Sequence, residues 1–499
     1  MDLRRRERPQ ERRCEGGHPA AQDGVERPRS STPGGGEPPS GFRFGPSEVD
    51  EFEASEEGRG LIRSCFWFAL FFLWPYQTFC QTQNFLSREF PERADSAGFM
   101  MMICCTWPMF LTHSLLSCTG LSRRLPYGVK IVGPGAFVTC LAVFLFIVLW
   151  RAGSRSGGEF LLHSLYASAL LGSLAESFAE PAVYDMAGLF PSTLTSQMTQ
   201  AGTGACGLIV SVVQVVTRLA YYGPGPVERD HMKNLTMVFV VLMGLTSIGM
   251  IVTFVRVSRT QSYRCYVSTG KRDKAGDPGQ HGRVRLDPGG DAPPVDVEHS
   301  VFAATLFALG HSWPSCLTVV LTFLTTLTLW PVIPGRSCAI APGEGGTLQT
   351  WWFDLIILAF NLADFLGKVH RSSLRWGAET LSPTQHLLLA VLRAAIFVPL
   401  IFASCAPQLY PTRWARWVTL LATFFLGLSN GWLSTVCFMR APKALPPGTP
   451  NVVAEQASTA LMFSLFLGIS SGCWIAYRLG LTLLRGSIGV CYTEVASRS

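Results

Sequence analysis

Long apolar stretches alternate with short polar segments along most of this chain. Between Leu61 and Leu484 there are eleven such stretches of about 18 to 28 residues, each long enough to cross a hydrocarbon core as a helix. Barrel strands would instead be short segments of alternating apolar and polar residues. Because the backbone groups of a membrane span must be paired within the chain, the pattern predicts an all-α integral membrane protein with eleven transmembrane helices. The predicted helices cover residues 61–85, 97–118, 128–150, 160–184, 195–218, 235–257, 301–330, 351–369, 386–405, 414–438 and 456–484.

The polar segments divide the chain into regions. Residues 1–60 are rich in Arg, Pro, Gly and Glu, so this tail cannot bury enough apolar surface to fold and is predicted to be disordered. The polar stretch 258–300 is predicted to be a long flexible loop that separates six helices (61–257) from five (301–484). Residues 485–499 form a C-terminal tail. The first apolar run begins too late and is too long for a cleavable signal peptide, so we expect a retained helix.

The distribution of Lys and Arg predicts the orientation of the chain in the membrane. Basic residues concentrate in the N-terminal tail and in the loops at 119–130, 258–300 and 370–385, whereas acidic residues oppose the two Arg of the loop at 86–96. The positive-inside rule therefore places the N-terminus in the cytoplasm and, with an odd number of helices, the C-terminus outside. We expect a multi-pass protein of the plasma membrane. The formal net charge of +7 reflects this topology and not binding to a nucleic-acid polymer.

Composition favours a membrane protein that is not an enzyme. Hydrophobic residues make up 48% of the chain and charged residues 15%, below the roughly 25% typical of soluble domains. The sequence contains no GxSxG elbow, HExxH motif, Walker A loop, Rossmann fingerprint or Cys/His metal spacing. We therefore expect no cofactor and no metal, and the lack of an ATP-binding motif argues against a primary pump.

Polar residues inside the predicted helices are the candidates for function, because polar groups within a bilayer are costly. In the first helix, Gln77, Gln81 and Asn84 fall on one face beside Trp74 and Tyr76. Three amides next to aromatic rings are typical of a wet, aromatic-lined cavity. The alternative is interhelical hydrogen bonding, which membrane bundles use routinely.

The fourth and eighth helices each carry charged residues on one face. In the fourth, Glu176 and Glu180 are one turn apart, which suits hydrogen bonding to a substrate or coupling to protons; a structural pair is the alternative. In the eighth, Asn361, Asp364 and Lys368 share a face, and the spacing of the last two predicts an intrahelical ion pair. Such a pair serves either a substrate or the stability of the fold.

Small residues recur at four-residue spacing in three helices and predict close helix packing. They are Thr203, Gly207 and Ser211; Gly427 and Gly431; and Ser464, Gly468 and Gly472.

Four local motifs are more specific than the hydropathy pattern. They are Leu73-Trp-Pro-Tyr-Gln-Thr-Phe; Phe190-Pro-Ser-Thr-Leu-Thr-Ser with Gly202-Thr-Gly-Ala-Cys-Gly; Phe360-Asn-Leu-Ala-Asp-Phe-Leu-Gly-Lys; and Leu428-Ser-Asn-Gly-Trp with Ala441-Pro-Lys. In this order across residues 61–480, they resemble the motifs of the equilibrative nucleoside transporter family.

This resemblance implies a major-facilitator-like fold, in which a bundle of six helices and a bundle of five rock around a central site. It implies transport of nucleosides, with a purine preference, across the lipid bilayer. Asp364 and Lys368 would face the ribose hydroxyls, and the residues of the first and fourth helices would frame the base. The predicted substrate-binding residues are Trp74, Tyr76, Gln77, Gln81, Glu176, Glu180, Asn361, Asp364 and Lys368.

The chain departs from the family pattern at two places. Lys368 stands where the family has Arg, which keeps the charge but loses the planar fork. Glu176 and Glu180 stand where many animal members carry a neutral Gln; this resembles protozoan members, some of which are proton-coupled, so coupling to protons stays open. Two other functions also stay open: a transporter of nucleobases or organic cations on the same fold, and a non-transporting receptor or scaffold.

Overall fold

The computed structural model describes residues 46–90, 94–151, 158–222, 229–268, 301–331, 333–334, 347–405, 412–443, 445–446, 449 and 451–482. The regular elements in these ranges are helices. Those of nine or more residues are numbered α1 (Pro46–Ala54), α2 (Glu56–Phe72), α3 (Trp74–Glu89), α4 (Ala94–Thr119), α5 (Tyr127–Arg151), α6 (Gly158–Leu189), α7 (Thr193–Tyr222), α8 (Arg229–Val257), α9 (Val301–Leu329), α10 (Thr347–Val369), α11 (Arg371–Thr380), α12 (Pro383–Cys405), α13 (Thr412–Arg440) and α14 (Asn451–Thr482). Shorter helical segments occur at Leu121–Arg124, Gln261–Tyr263 and, as a π-helix, Arg264–Ser268.

The prediction of an all-α membrane protein is confirmed. By length and hydropathy, eight helices within the described ranges qualify as membrane spans. Large apolar side chains lie exposed on their outer faces, among them Leu115, Trp150 and Leu388, as expected where hydrocarbon and not water surrounds the bundle. Within the described ranges, the predicted apolar stretches lie almost entirely in helices, and most ends differ from the prediction by only a few residues.

The first predicted helix differs most, because the structure divides residues 61–85 between α2 and α3. The break falls at Leu73, just before Pro75, which occupies the first turn of α3. Proline has no N–H to donate and clashes with the preceding turn, so a new helix starts where it stands. Tyr76 and Gln77 therefore lie in the first turn of the new helix α3.

The prediction that the N-terminal tail is disordered as far as residue 60 is wrong for residues 46–60, which are helical in α1 and the start of α2. Phe52 of α1 is buried, and its ring lies 5.9 Å from that of Phe190 and 6.0 Å from that of Tyr266. One aromatic anchor thus orders a segment whose average composition predicts disorder. Residues 1–45 lie outside the described part of the chain.

The predicted flexible loop at 258–300 is also wrong in its first part, because residues 261–268 form helical turns. Val267 is buried there, and Tyr266 donates a hydrogen bond to Glu48 of α1 over 3.4 Å. Burial and the neighbouring Glu48 carboxylate raise the pKa of Tyr266 to about 12. Residues 269–300 and 483–499 lie outside the described ranges.

Small residues bring helices together where their spacing predicts it. A Cβ at Gly431 of α13 would lie 2.1 Å from the Asp364 carbonyl oxygen of α10, and one at Gly427 would lie 2.5 Å from that of Phe360. Gly468 of α14 packs closely on α9 in the same way, since a Cβ there would lie 2.7 Å from the Val320 carbonyl oxygen. These approaches confirm the packing prediction and fix α10, α13, α9 and α14 around the centre of the molecule.

Candidate functional site

A cavity lies between the two halves of the chain, which are helices α2–α8 and helices α9–α14. Its walls come from α3, α4, α6 and α7 of the first half and from α9, α10, α13 and α14 of the second half. Its empty volume is about 790 Å³, counting the part open to solvent. Polar and aromatic side chains from both halves face it. The polar ones are Gln77, Thr106, Glu180, Gln200, Thr203, Thr326, Asn361, Asp364, Lys368 and Asn430, and the aromatic ones include Tyr76, Tyr184, Trp330 and Phe360.

The predicted ion pair on α10 is confirmed. Lys368 Nζ lies 2.7 Å from Asp364 Oδ2, and both side chains are more than nine-tenths buried. The same ammonium donates to Thr203 Oγ1 of α7 over 3.0 Å. Lys368 therefore links the two halves of the molecule at the cavity. Sequence reasoning assigned Thr203 to helix packing and missed this polar contact.

The second oxygen of Asp364 is held from the opposite side. Asn430 of α13 donates its amide to Asp364 Oδ1 over 2.8 Å, and Thr326 of α9 donates to Asn430 Oδ1 over 2.8 Å. Arg393 of α12 in turn donates to Thr326 Oγ1 over 2.6 Å. Sequence reasoning did not name Arg393 as a candidate. It could have done so, because Arg393 is a charged residue inside the predicted helix 386–405, just as Glu176 and Asp364 are charged residues inside other predicted helices.

The residues predicted from the first helix divide into two groups. Tyr76 and Gln77 line the cavity, whereas Trp74 and Gln81 are buried but do not. The oxygen of the Gln77 amide has no hydrogen-bond partner among the described residues, so it is available to a ligand. Asn84 belongs to α3, but its side chain lies outside the described part of the structure.

The two glutamates of α6 also have different environments. Glu176 Oε1 accepts the backbone N–H of Tyr76 over 3.0 Å, an amide that the break at Leu73 leaves in the first turn of α3. A carboxylate at a helix start satisfies such a donor and interacts favourably with the helix dipole. Glu176 does not line the cavity, whereas Glu180, one turn further along α6, does. The predicted acidic face thus contributes one carboxylate to the helix break and one to the cavity.

Two stacked aromatic rings lie on the second-half side of the cavity. Trp330 and Phe360 are stacked, with ring centroids 4.2 Å apart and an interplanar angle of 18°. On the first-half side, Gln200 donates to the hydroxyl of Tyr184 over 2.9 Å. Stacked rings beside amides and hydroxyls provide surfaces for a planar ring and partners for its polar edge. Asn361, between these groups, donates to Ser211 Oγ of α7 over 2.7 Å.

Contacts between the two halves occur at both ends of the cavity. At one end, Arg218 of α7 forms a buried ion pair with Asp354 of α10, and Gln214 of α7 donates a hydrogen bond to the same carboxylate. The guanidinium of Arg218 lies 4.1 Å from the centre of the Trp351 ring. We call this group the Arg218 lock. At the other end, Lys443 donates to the carbonyl oxygens that close α6, at Gly188 and Phe190.

A weaker pair lies beyond Lys443 on the same side. Glu53 of α1 approaches Arg371 of α11 to 3.5 Å and accepts a hydrogen bond from Ser192. Arg371 is largely exposed, so this pair stabilises the contact only slightly.

A family model described as "Nucleoside transporter" matches residues 166–481, which is more than half of the chain. Curated relatives match over most of their length. The zebrafish (Danio rerio) equilibrative nucleoside transporter 4 is 22% identical over 444 residues, covering 80% of this chain and 79% of the relative. The human (Homo sapiens) equilibrative nucleoside transporter 1 is 24% identical over 413 residues, covering 78% and 83%. The Arabidopsis thaliana equilibrative nucleotide transporter 8 is 23% identical over 375 residues, covering 72% and 82%.

Two solved structures share the fold. A proton:xylose symporter of the major facilitator superfamily, bound to 6-bromo-6-deoxy-D-glucose, superposes with a TM-score of 0.50 at 14% identity and covers 87% of this chain and 92% of its own. A D-xylose-proton symporter superposes with a TM-score of 0.51 at 11% identity, covering 87% and 97%. At these identities the likeness concerns the fold alone, and it confirms the expectation of a major-facilitator-like architecture.

Proposed function

This chain belongs to the nucleoside transporter family, and we propose that its central cavity holds the nucleoside during transport across the membrane. The observation that carries the proposal is the buried Asp364–Lys368 pair, which faces the cavity between partners from both halves. A nucleoside is uncharged and rich in hydroxyl groups. It therefore needs paired donors and acceptors together with an aromatic surface, and it needs no single strong counter-charge.

We assign the ribose to the α10 side of the cavity. Asp364 accepts hydrogen bonds from the ribose hydroxyls, and Lys368 and Asn361 supply donors beside it. The base occupies the first-half side, where Tyr76, Gln77 and Glu180 lie on the cavity wall. Stacked Trp330 and Phe360 offer an aromatic surface beside which a planar base can lie.

The other predicted site residues support this site without contacting the ligand. Glu176 fixes the start of α3, and through it Tyr76 and Gln77. Trp74 and Gln81 are buried on the same helix but outside the cavity lining.

Transport proceeds by alternating access between a six-helix and a five-helix bundle, with eleven spans, the N-terminus in the cytoplasm and the C-terminus outside. In this topology, the Arg218 lock lies at the outer end of the cavity and Lys443 at the inner end. Both groups contact the opposite half, so each has to separate when its end opens. The plasma membrane is the proposed location.

Uptake of radiolabelled adenosine and 3′-deoxyadenosine into transporter-deficient cells that express the chain tests the ribose assignment. We expect saturable uptake of adenosine, with an uptake efficiency at least about tenfold above that of the 3′-deoxy analogue, because loss of a hydroxyl leaves buried polar groups unpaired. Asp364→Asn should lower this ratio. Equal uptake of the two nucleosides by the unaltered chain would refute the ribose assignment. Repeating the assay at external pH 6 and pH 8 with a protonophore separates facilitated diffusion from proton-coupled uptake.

The Glu180 carboxylate on the cavity wall favours a second candidate function, transport of organic cations. Uptake of a labelled organic cation that excess adenosine does not inhibit would support it. Competition by adenosine would instead place both ligands in one site.

A further inference from the structure

Arg393 is a buried charge with unusual partners. It lies on α12 at 4% exposure, within a helix that qualifies as a membrane span. Its guanidinium donates to Ser429 Oγ (2.8 Å), Thr326 Oγ1 (2.6 Å) and the carbonyl oxygens of Thr322 (2.7 Å) and Leu426 (3.0 Å). In the described structure these acceptors are all neutral. A charge so placed is expensive to keep in a bilayer unless it has a function.

The hydrogen bonds from Arg393 towards the cavity can run in one direction only. Arginine has no acceptor, so Thr326 Oγ1 must accept from Arg393 and turn its own proton elsewhere. That hydroxyl lies 2.8 Å from both the Thr322 carbonyl oxygen and Asn430 Oδ1. The Asp364 carboxylate can only accept, so Asn430 turns its amide hydrogens to it and its oxygen to Thr326, which donates to that oxygen.

The same direction continues to the cavity. With its oxygen towards Thr326, the Asn430 side chain must present its amide hydrogens to Asp364 Oδ1. Asp364 Oδ2 is held by Lys368, so the carboxylate plane is fixed from two sides. The close approach of Gly431 to the Asp364 backbone keeps α13 in place, which prevents Asn430 from withdrawing.

We propose that Arg393 is a positioning residue for ribose recognition, which acts through Thr326 and Asn430 to hold the Asp364 carboxylate towards the ribose hydroxyls. The proposal rests on the function proposed above and adds to it a residue three hydrogen bonds away from Asp364. Without Arg393, Thr326 is no longer held in place and can donate to the Thr322 carbonyl alone. Asn430 then loses the partner of its oxygen, and its amide holds the Asp364 carboxylate less firmly.

A purely structural role for Arg393 predicts something different. If the guanidinium only joins α9, α12 and α13, its loss lowers the amount of folded transporter, and uptake of every nucleoside falls in proportion. A positioning role changes the discrimination between ribose and 3′-deoxyribose at equal surface abundance. The ratio of uptake efficiencies for adenosine and 3′-deoxyadenosine therefore separates the two roles.

The hydroxyl of Thr326 offers the sharpest test, because Thr326→Val removes the link and keeps the shape of the side chain. We expect T326V to lower the adenosine to 3′-deoxyadenosine ratio about fivefold to tenfold, the effect of one hydrogen bond, mainly through a higher KM for adenosine. Thr326→Ser keeps the hydroxyl and should restore the ratio. Thr325→Val is the matched control, since Thr325 donates to the Leu321 carbonyl of its own helix.

Arg393→Lys completes the test, with surface abundance measured for every variant. Lysine keeps the charge but loses the planar fork, so R393K should lower the ratio in the same direction as T326V. The proposal is overturned if T326V keeps the ratio of the unaltered chain, or if T326V and T325V reduce uptake of both nucleosides equally. A failure of the unaltered chain to distinguish the two nucleosides would instead overturn the ribose assignment itself. Thr326 also lines the cavity, so a lowered ratio in T326V supports the proposal when R393K lowers it in the same direction. If R393K does not reach the surface, a ratio that T326V leaves unchanged still overturns the proposal.

Discussion

At the scale of single residues, Glu176 and Glu180 show how one helical turn separates two roles. Glu176 accepts the Tyr76 backbone N–H at the break between α2 and α3, whereas Glu180 faces the cavity. Glu176→Gln keeps an acceptor and should leave stability close to that of the unaltered protein. Glu176→Leu leaves the N–H unpaired and should lower the free energy of unfolding by about 1 kcal/mol, the usual effect of a lost helix cap.

Glu180→Gln is the matched change on the cavity wall. It should alter the KM for nucleosides while the thermal midpoint of the detergent-solubilised protein stays unchanged, because Glu180 supports no helix end. The measurements are thermal midpoints and uptake kinetics of the three variants. If E176L kept the thermal midpoint of the unaltered protein and E180Q lowered it, the two assignments would be reversed.

Local spacing explains which residues of the site could be predicted. The Asp364–Lys368 pair follows from its four-residue spacing on one helix and needs no knowledge of the fold. The contacts of Lys368 with Thr203 and of Asp364 with Asn430 join helices far apart in sequence, so the pattern along the chain does not contain them. The same reason explains why Glu176 looked like a cavity residue, since its partner is the backbone of another helix.

At the scale of helices, the contact between α10 and α13 controls the geometry of the site. Gly431 has no room for a side chain, because its Cβ would lie 2.1 Å from the Asp364 carbonyl oxygen. Gly431→Ala should force the helices apart, at a cost of about 1–3 kcal/mol, and move Asn430 away from Asp364. We expect a lower thermal midpoint together with a weaker preference for adenosine over 3′-deoxyadenosine.

Gly310→Ala is the control for this change. A Cβ at Gly310 of α9 would meet no atom within 4 Å, so the substitution tests helix propensity without packing. It should leave uptake unchanged and the thermal midpoint equal or slightly higher. If G431A behaved like G310A, the close approach of α10 and α13 would not set the position of Asn430.

Hydropathy predicts the helices well because length and apolarity decide what can cross a bilayer. It predicts less well where tertiary contacts or a single residue intervene. Pro75 breaks the first span into α2 and α3, and Phe52 orders α1 through Phe190 and Tyr266. Neither the break at Leu73 nor the burial of Phe52 is visible in the average polarity of its segment.

At the scale of the whole molecule, the two halves meet at the cavity and at both of its ends. The architecture was expected from a family resemblance, since hydropathy alone does not say which helices are neighbours. The polar contacts at the two ends are the Arg218 lock on one side and Lys443 on the other. On the Lys443 side, aromatic rings also meet across the halves, since the centroids of Tyr184 and Phe438 lie 4.7 Å apart. A transporter that opens its ends in turn needs contacts that can separate, and hydrogen-bonded charges separate without exposing apolar surface to water.

The Arg218 lock therefore supports a prediction about the whole transport cycle. Asp354→Asn removes one partner of a buried pair and should reduce the amount of folded protein, because an unpaired buried charge costs about 3–5 kcal/mol. The double variant R218Q–D354N removes both charges, so it should fold better than D354N and favour the state in which this end, the outer one in the proposed topology, is open. Ser211 lies one turn from Gln214, between the lock and the cavity residue Asn361, and is 2% exposed.

Ser211→Cys supplies the reporter for that state. A membrane-impermeant thiol reagent added outside should modify S211C faster in the double variant than in the otherwise unaltered chain. Excess adenosine should slow the reaction in both, because a bound nucleoside covers the path. Equal rates with and without the charges would mean that the pair stabilises the fold but does not hold the outer end closed. A rate that increased only with reagent added from the cytoplasm would place the lock at the inner end and reverse the proposed topology.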